Sequence, residues 1–288
     1  MHSVVCIKQV PDSAQIRVHP VTNTIMRQGV PAIINPYDTW ALEAALALRD
    51  RLGGEVTVLS MGPPMAEDAL RRALSIGADR AVLLTDRFFA GSDTLATSFA
   101  LATAISKIAE TWGKPGIVFT GKQTIDGDTA QVGPGIAKRL DYVQLTYVTK
   151  IVEANAESGE IVVERRAEGG TQVLLSKLPV LMTMLEGEGD VRRGSLDSAL
   201  RASRAEIIKW SAAQAGITDL SKCGLKGSPT VVKKVYAPSA RAGKATLLGG
   251  GDAPLEVLAD ELVTALFAQA QGLESDLQSL NADQASAE

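Results

Sequence analysis

The sequence predicts an α/β fold with a doubly wound, mainly parallel sheet, antiparallel edge strands, and an extended C-terminal arm plus helix. Three observations predict it. Short aliphatic runs alternate with longer helical patterns through the first half of the chain. Glycines close those helical patterns. Hydrophobic residues make up 45% of the 288 residues but aromatics only 4%, so the core is aliphatic and alanine-rich, as in helices packed on a parallel sheet.

Val4-Val5-Cys6-Ile7, Val56-Thr57-Val58-Leu59, Ala81-Val82-Leu83-Leu84 and Ile117-Val118-Phe119 read as buried strands. Between them run helices with apolar spacings of three and four. Ala41, Ala45, Leu48 and Leu52 form one stripe, closed by Gly53-Gly54. Ala66, Ala69, Leu70 and Ala73 form a second, closed by Gly77. Leu101, Ile105, Ile108 and Trp112 form a third, preceded by the cap candidates Ser92 and Asp93 and closed by Gly113. Strands joined by crossover helices make a Rossmann-like sheet, which binds ligands beyond the carboxyl ends of its strands.

Two sets of residues depart from this rhythm. Ile16-Arg17-Val18 and Thr24-Ile25-Met26 read as an exposed hairpin. Tyr147–Val152, Ile161–Arg166 and Gln172–Leu175 alternate openly and read as antiparallel edge structure. After about residue 205 the composition changes. Lys222–Ala242 is rich in Gly, Pro, Ser and Lys, a Gly-Gly-Gly-Asp linker follows, and one helix is expected from Leu255 to about Gln271. The expected division is an α/β domain at 1–209 and a C-terminal arm and helix at 210–288.

Lys and Arg number 29 against 33 Asp and Glu, a net charge of −4, which argues against a nucleic-acid partner held by phosphate contacts. No apolar run reaches the ~18 residues that span a bilayer, and Lys8 interrupts the first one, so a cytoplasmic chain without direct membrane insertion is expected. Cys6 and Cys223 have no paired spacing, which fits a reducing compartment. Cys6 lies in an apolar run and reads as core. The only histidines, His2 and His19, stand in no metal or nucleophile pattern, so no catalytic residue or metal ligand is expected and redox work must come from a bound cofactor.

The densest signal is Gly121–Pro134, GKQTIDGDTAQVGP, which follows a strand and leads into a helix ending near Arg139-Leu140. A strand that breaks into glycine, small and acidic residues before a helix presents free backbone N–H groups and the positive end of a helix dipole, a seat for phosphate. Neither G-x-x-x-x-G-K-[ST] nor G-x-G-x-x-G is present. On the residues alone, a phosphate seat and an ordinary strand–loop–helix corner remain equal alternatives. Asp126 and Asp128 could act as acid and base, but capping of the following helix is the preferred reading. Arg192-Arg193-Gly194-Ser195-Leu196 reads as a surface loop with Ser195 capping a helix.

The pattern GKQ-x-ID-x-D-x-x-Q-x-G resembles the signature of electron-transfer flavoprotein β subunits. Lys8-Gln9-Val10-Pro11-Asp12, Asn35-Pro36-Tyr37-Asp38, Met61-Gly62-Pro63 and Ile76-Gly77-Ala78-Asp79-Arg80 support it over roughly residues 1–236. Gly127, Thr129, Ala130 and Val132 resemble the electron-bifurcating branch, and the N-terminal stretch is similar to the β-type subunit of the nitrogen-fixation-linked Fix complex. The resemblance implies an adenine-nucleotide site at Cys6, Asn35, Pro36, Tyr37, Asp38, Met61, Gly121, Lys122, Gln123, Thr124, Ile125, Asp126, Gly127, Asp128, Thr129, Ala130, Gln131 and Val132. The backbone of residues 129–132 would cradle phosphate. It further implies a heterodimer with an α subunit that carries most of a second FAD. A bifurcating FAD would lie in this site, where housekeeping relatives hold a structural AMP. NADH would be the donor. Ferredoxin or flavodoxin would be one acceptor, and a quinone-reducing flavoprotein with a ferredoxin-like protein the other. Any association with a membrane would then run through that partner complex. The segment 189–200 would be a partner-recognition loop with Leu196 as its apolar anchor, although the family's usual N-E-P-R-Y is replaced here by Gly189-Asp190-Val191-Arg192-Arg193.

Overall fold

The structure, a computed structural model, describes residues 1–12, 17–18, 25–26, 31–187, 189–231, 248 and 254–269. It falls into two compact units, Met1–Ala237 and Pro238–Glu288. In the first, strands β1 (His2–Cys6), β6 (Glu55–Met61), β7 (Arg80–Leu84) and β8 (Ile117–Gly121) are the aliphatic runs expected, and all run parallel. Helices α1 (Pro36–Leu52), α2 (Glu67–Ile76) and α3 (Thr94–Trp112) join them. Pro36 opens α1, where its missing N–H costs nothing. The Asp93 carboxylate caps α3 by accepting from the N–H groups of Leu95 and Ala96. Each helix ends on a glycine with positive φ: Gly53, Gly77 and Gly113.

The sheet continues through α4 (Val132–Leu140), β9 (Val143–Ala154), β10 (Glu160–Ala167), β11 (Gly170–Lys177) and β12 (Val180–Met184), then α5 (Leu196–Arg204) and β13 (Ile208–Trp210). Its nine strands lie in the order β11-β10-β9-β12-β8-β1-β6-β7-β13. Strands β9, β10 and β11 pair antiparallel, as expected at an edge, while β12 is a buried parallel strand between β8 and β9. Short strands β2 (Gln9–Pro11) and β5 (Ala32–Ile34) pair antiparallel, and β3 (Arg17–Val18) pairs with β4 (Ile25–Met26) as the expected hairpin.

Two core layers cover the sheet. Val5, Ile7, Val56, Val58, Phe119 and Met182 pack with buried residues of α1 and α2. Val4, Cys6, Leu59, Val82, Val118 and Leu181 pack with α3 and α4. That second layer also takes in Ala212, Ala215, Ile217 and Cys223, so packed structure continues past residue 209, and the first compact unit runs to Ala237. The second unit contains α6 (Leu255–Gln269). Among the described residues no helix is long and apolar enough to cross a membrane.

Candidate functional site

Adjacent parallel strands β1, β6, β8 and β12 end along one edge of the sheet, where a doubly wound fold binds its ligands. The loop after β8 is framed from α1. Asn35, fully buried, donates from Nδ2 to the Gln123 carbonyl at 2.9 Å and accepts at Oδ1 from the Ile125 N–H at 3.1 Å. Asp38, 4% exposed, accepts from the Lys8 N–H at 2.7 Å and the Gly121 N–H at 3.0 Å. A Cβ on Gly121 would lie 2.4 Å from Asp38 Oδ1 and 2.6 Å from Tyr37 Cβ, so only glycine admits this approach. Burial pushes the Asp38 carboxyl up to about 7, against the opposing pull of its hydrogen bonds from Asn35, Lys8 and Gly121.

Thr124–Asp128 forms a turn in which the N–H groups of Gly127 and Asp128 both donate to the Thr124 carbonyl. Asp126 pairs with Lys8 Nζ at 2.7 Å, and Asp128 Oδ1 accepts from Gln123 Nε2 at 2.8 Å. Partial burial works to raise the Asp126 pKa, but Lys8 holds the carboxyl below its ordinary value. These partners correct the capping expectation: α4 begins at Val132 behind Gln131, which makes no side-chain cap, and neither aspartate reaches it. Both carboxylates are engaged upstream, across contacts that the local spacing does not reveal.

The helix start is therefore open. Among the described residues nothing accepts from the N–H groups of Thr129, Ala130 and Gln131. Val132 and Gly133 lie in the first turn, where no intrahelical acceptor exists, and Gly135 is the first to bond back, to the Gln131 carbonyl. Asp128 and Ala130 have φ of 49° and 55°, and Gln131 returns to the right-handed region. This alternation turns successive N–H groups toward one concavity, the geometry of an anion nest. A Cβ on Gly133 would sit 2.8 Å from both Thr120 Oγ1 and Thr183 Cγ2, so glycine lets the start of α4 lie directly on β8 and β12. Thr120 Oγ1 is buried there without a hydrogen-bond partner. The nest and the helix N-terminus fit a phosphate group, while the Thr120 hydroxyl lies beneath Gly133, out of its reach.

The remaining expected residues divide. Lys122 stacks its ammonium 5.1 Å from the Tyr37 ring and 5.9 Å from Tyr147, and no carboxylate among the described residues pairs with it. Pro36 is exposed beside them. Met61, at the end of β6, packs on the same core layer as Cys6. Burial, and then the nearby Asp38 charge, push the Cys6 thiol up to about 12, so it carries no thiolate at neutral pH. Leu196 stands apart, 76% exposed, at the start of α5, where Ser195 Oγ accepts from the Ser198 N–H as expected. His2 bonds the Gly113 carbonyl and Thr57 Oγ1, while His19 lies outside the described residues. No group of three potential metal ligands occurs among the described residues. Sequence reasoning missed Thr120, Thr183 and the Lys8–Asp126 pair. The first two belong to the end of β8 and the unforeseen β12, and the pair spans 118 positions.

A family model described as the electron transfer flavoprotein domain matches residues 22–215. A "Protein FixA" of Sinorhizobium fredii is 68% identical over 279 residues, covering 97% of this chain and 98% of that protein. One of Azorhizobium caulinodans is 69% identical over 281 residues, covering 97% and 99%. An "Electron transfer flavoprotein subunit beta" of Clostridium acetobutylicum is 49% identical over 234 residues, covering 81% and 87%.

Proposed function

The chain belongs to the electron transfer flavoprotein family as a β-type, FixA-like subunit that takes part in electron transfer, and we propose that it seats a bifurcating FAD in the nest at residues 129–133. Its partner is an electron-transfer flavoprotein α subunit that carries a second FAD. The bound flavins supply hydride acceptance from NADH and the division of its two electrons between ferredoxin or flavodoxin and a quinone-reducing flavoprotein with a ferredoxin-like protein.

The chain's own residues bind and orient. The N–H groups of Thr129, Ala130, Gln131, Val132 and Gly133 supply donors to a pyrophosphate, and the dipole of α4 favours its charge. Gly127, Thr129 and Ala130 are small enough to leave the approach open. Lys122 adds a cation at the same edge, positioned by two tyrosine rings. Asn35 and Asp38 stay behind the loop and fix its curvature rather than touching the ligand. Cys6 stays protonated and fills space.

The observation that carries this reading is the run of N–H groups around left-handed Ala130 that have no acceptor among the described residues, in a chain of this family. Co-expression with the α subunit tests it. The purified heterodimer is expected to contain two FAD and no AMP per heterodimer, with NADH reducing one flavin. One FAD and one AMP would overturn bifurcation and mark a housekeeping-type subunit.

A further inference from the structure

Strand β9 is deformed at one point, where it passes the end of β12. Leu145 faces Met182 and Val148 faces Met184, so Thr146 and Tyr147 together oppose the single residue Thr183. Such a bulge re-aims the side chain of the extra residue. Tyr147 takes φ of 59°, the left-handed region that a bulky residue enters only when its surroundings compel it. Strain of this kind collects at ligand sites.

Two contacts hold the bulge. Thr183, buried, accepts at Oγ1 from the Tyr147 N–H at 3.1 Å. The Leu185 N–H then restores the pairing by donating to the Val148 carbonyl at 2.8 Å. The same Thr183 turns its methyl group toward α4, since a Cβ on Gly133 would lie 2.8 Å from Thr183 Cγ2. One buried threonine therefore braces both the bulge and the start of the helix that follows the nest.

The bulge leaves Tyr147 39% exposed, with its ring 5.9 Å from Lys122 Nζ. A second ring, Tyr37 in the first turn of α1, lies 5.1 Å from the same ammonium. The Lys122 backbone is pinned as well, its N–H donating to the Met184 carbonyl at 2.8 Å. Rings hold an ammonium in place without neutralising it, and no carboxylate among the described residues pairs with Lys122. Its charge stays available at the same edge of the sheet as the nest. A nest of backbone N–H groups surrounds one phosphate, and a diphosphate brings a second whose charge calls for another donor.

We propose that Tyr147 is a positioning residue for charge recognition: its bulge, latched by Thr183, aims the Lys122 ammonium at the second phosphate of a nucleotide whose first phosphate occupies the nest. The pair thereby selects diphosphate-bearing nucleotides, dinucleotides among them, over monophosphates. The inference rests on the reading of residues 129–133 as a phosphate seat. Tyr147 need not touch the ligand. It acts through Lys122, a side chain rich in rotamers, by removing alternative poses that binding would otherwise have to freeze out.

The test is calorimetric titration of the heterodimer, freed of bound nucleotide, with adenosine, AMP and ADP. Lys122→Met should weaken ADP by about tenfold and AMP by no more than about twofold, and leave adenosine unchanged. Tyr147→Gly accepts the left-handed backbone without strain, so it should weaken ADP by about fivefold without lowering the unfolding midpoint. Tyr147→Phe keeps a ring beside the ammonium and should restore the wild-type preference for ADP. Tyr147→Leu replaces the glycine variant if thermal melting shows that one to be unfolded. A bulge that served only the fold would, when altered, weaken all three ligands alike or none, and either pattern would overturn the proposal. Ala130→Glu tests the reading beneath it: a carboxylate in the nest should remove one ADP site per heterodimer. An unchanged number of sites would overturn the phosphate seat itself.

Discussion

Strands β8 and β12 lie side by side and leave the sheet at the same edge, yet the segments that follow them are secured by opposite means. The loop after β8 is tied by buried, backbone-directed bonds from Asn35 and Asp38. The segment after β12 is tied by partly exposed ion pairs through Arg192. A buried donor or acceptor that loses its partner costs about 1–3 kcal/mol, whereas an exposed ion pair contributes about 0.2–1 kcal/mol and weakens in salt. The first means suits a loop whose N–H groups must hold one curvature, as the proposed phosphate seat requires. The second suits a helix that lies at the surface and buries little of its own side-chain area. The difference ranks the effects of disturbing them.

The largest effect is expected at Asp38, as a dependence of stability on pH. The unfolded carboxyl ionises near 3.8 and the folded one near 7. Between these values the folded chain keeps a proton that the unfolded chain has lost. Stability from this group is therefore fully present below pH 3.8, declines as pH rises toward 7, and levels off above it, by up to about 4 kcal/mol in all. Urea unfolding from about pH 5 to pH 8 checks it: Asp38→Asn should lose most of the wild-type slope in that window. An equal slope in the variant would mean that Asp38 is ionised throughout, and the contrast between the two segments would lose its strongest member.

Asn35→Ala comes next. It leaves the Gln123 carbonyl and the Ile125 N–H without their partner in the interior, a loss of about 2–4 kcal/mol. Because those two groups set the path into the nest, the variant heterodimer should also lose the flavin held by this chain while keeping the one in the α subunit. Flavin content and unfolding midpoint, measured together, read both effects. Full retention of both flavins would show that the loop holds its shape without α1.

The parts legible in the sequence were those whose causes are local. Glycine-closed stripes and aliphatic runs placed α1, α2, α3 and four parallel strands, and open alternation marked β9, β10 and β11 as antiparallel. Strand β12 was missed although Val180–Met184 is an almost continuous apolar run like the other buried strands; it follows β11 after only two residues and was absorbed into that antiparallel edge. Residues 212–223 pack through Ala212, Ala215, Ile217 and Cys223, mostly small side chains that leave little hydrophobic trace, so the composition change near 205 looked like the end of packed structure. At the site, the motif located the loop and the helix start. Its internal roles depended on Lys8 and Asn35, which approach the loop only after the sheet has formed, and spacing therefore misplaced Asp126 and Asp128 as caps.

The smallest effect, and the one that isolates docking from cofactor binding, is expected at Leu196. A lone exposed leucine on a basic loop is ordinary surface. Here it is continued by Leu200 one turn on, and the helix that carries both buries little besides Ala202. Removing it exposes no core and breaks no hydrogen bond of the nest, so folding and the flavin content of both subunits should be unchanged, as should reduction by NADH. If Leu196 is the apolar anchor that the family resemblance implies, its truncation removes about 1–2 kcal/mol of binding. Leu196→Ala should therefore slow electron delivery to the quinone-reducing flavoprotein by roughly tenfold, the kinetic equivalent of about 1.4 kcal/mol. Stopped-flow mixing of the reduced heterodimer with that partner measures it directly. Loss of flavin from the variant would erase the separation between the two segments, and delivery at the wild-type rate would remove docking from α5.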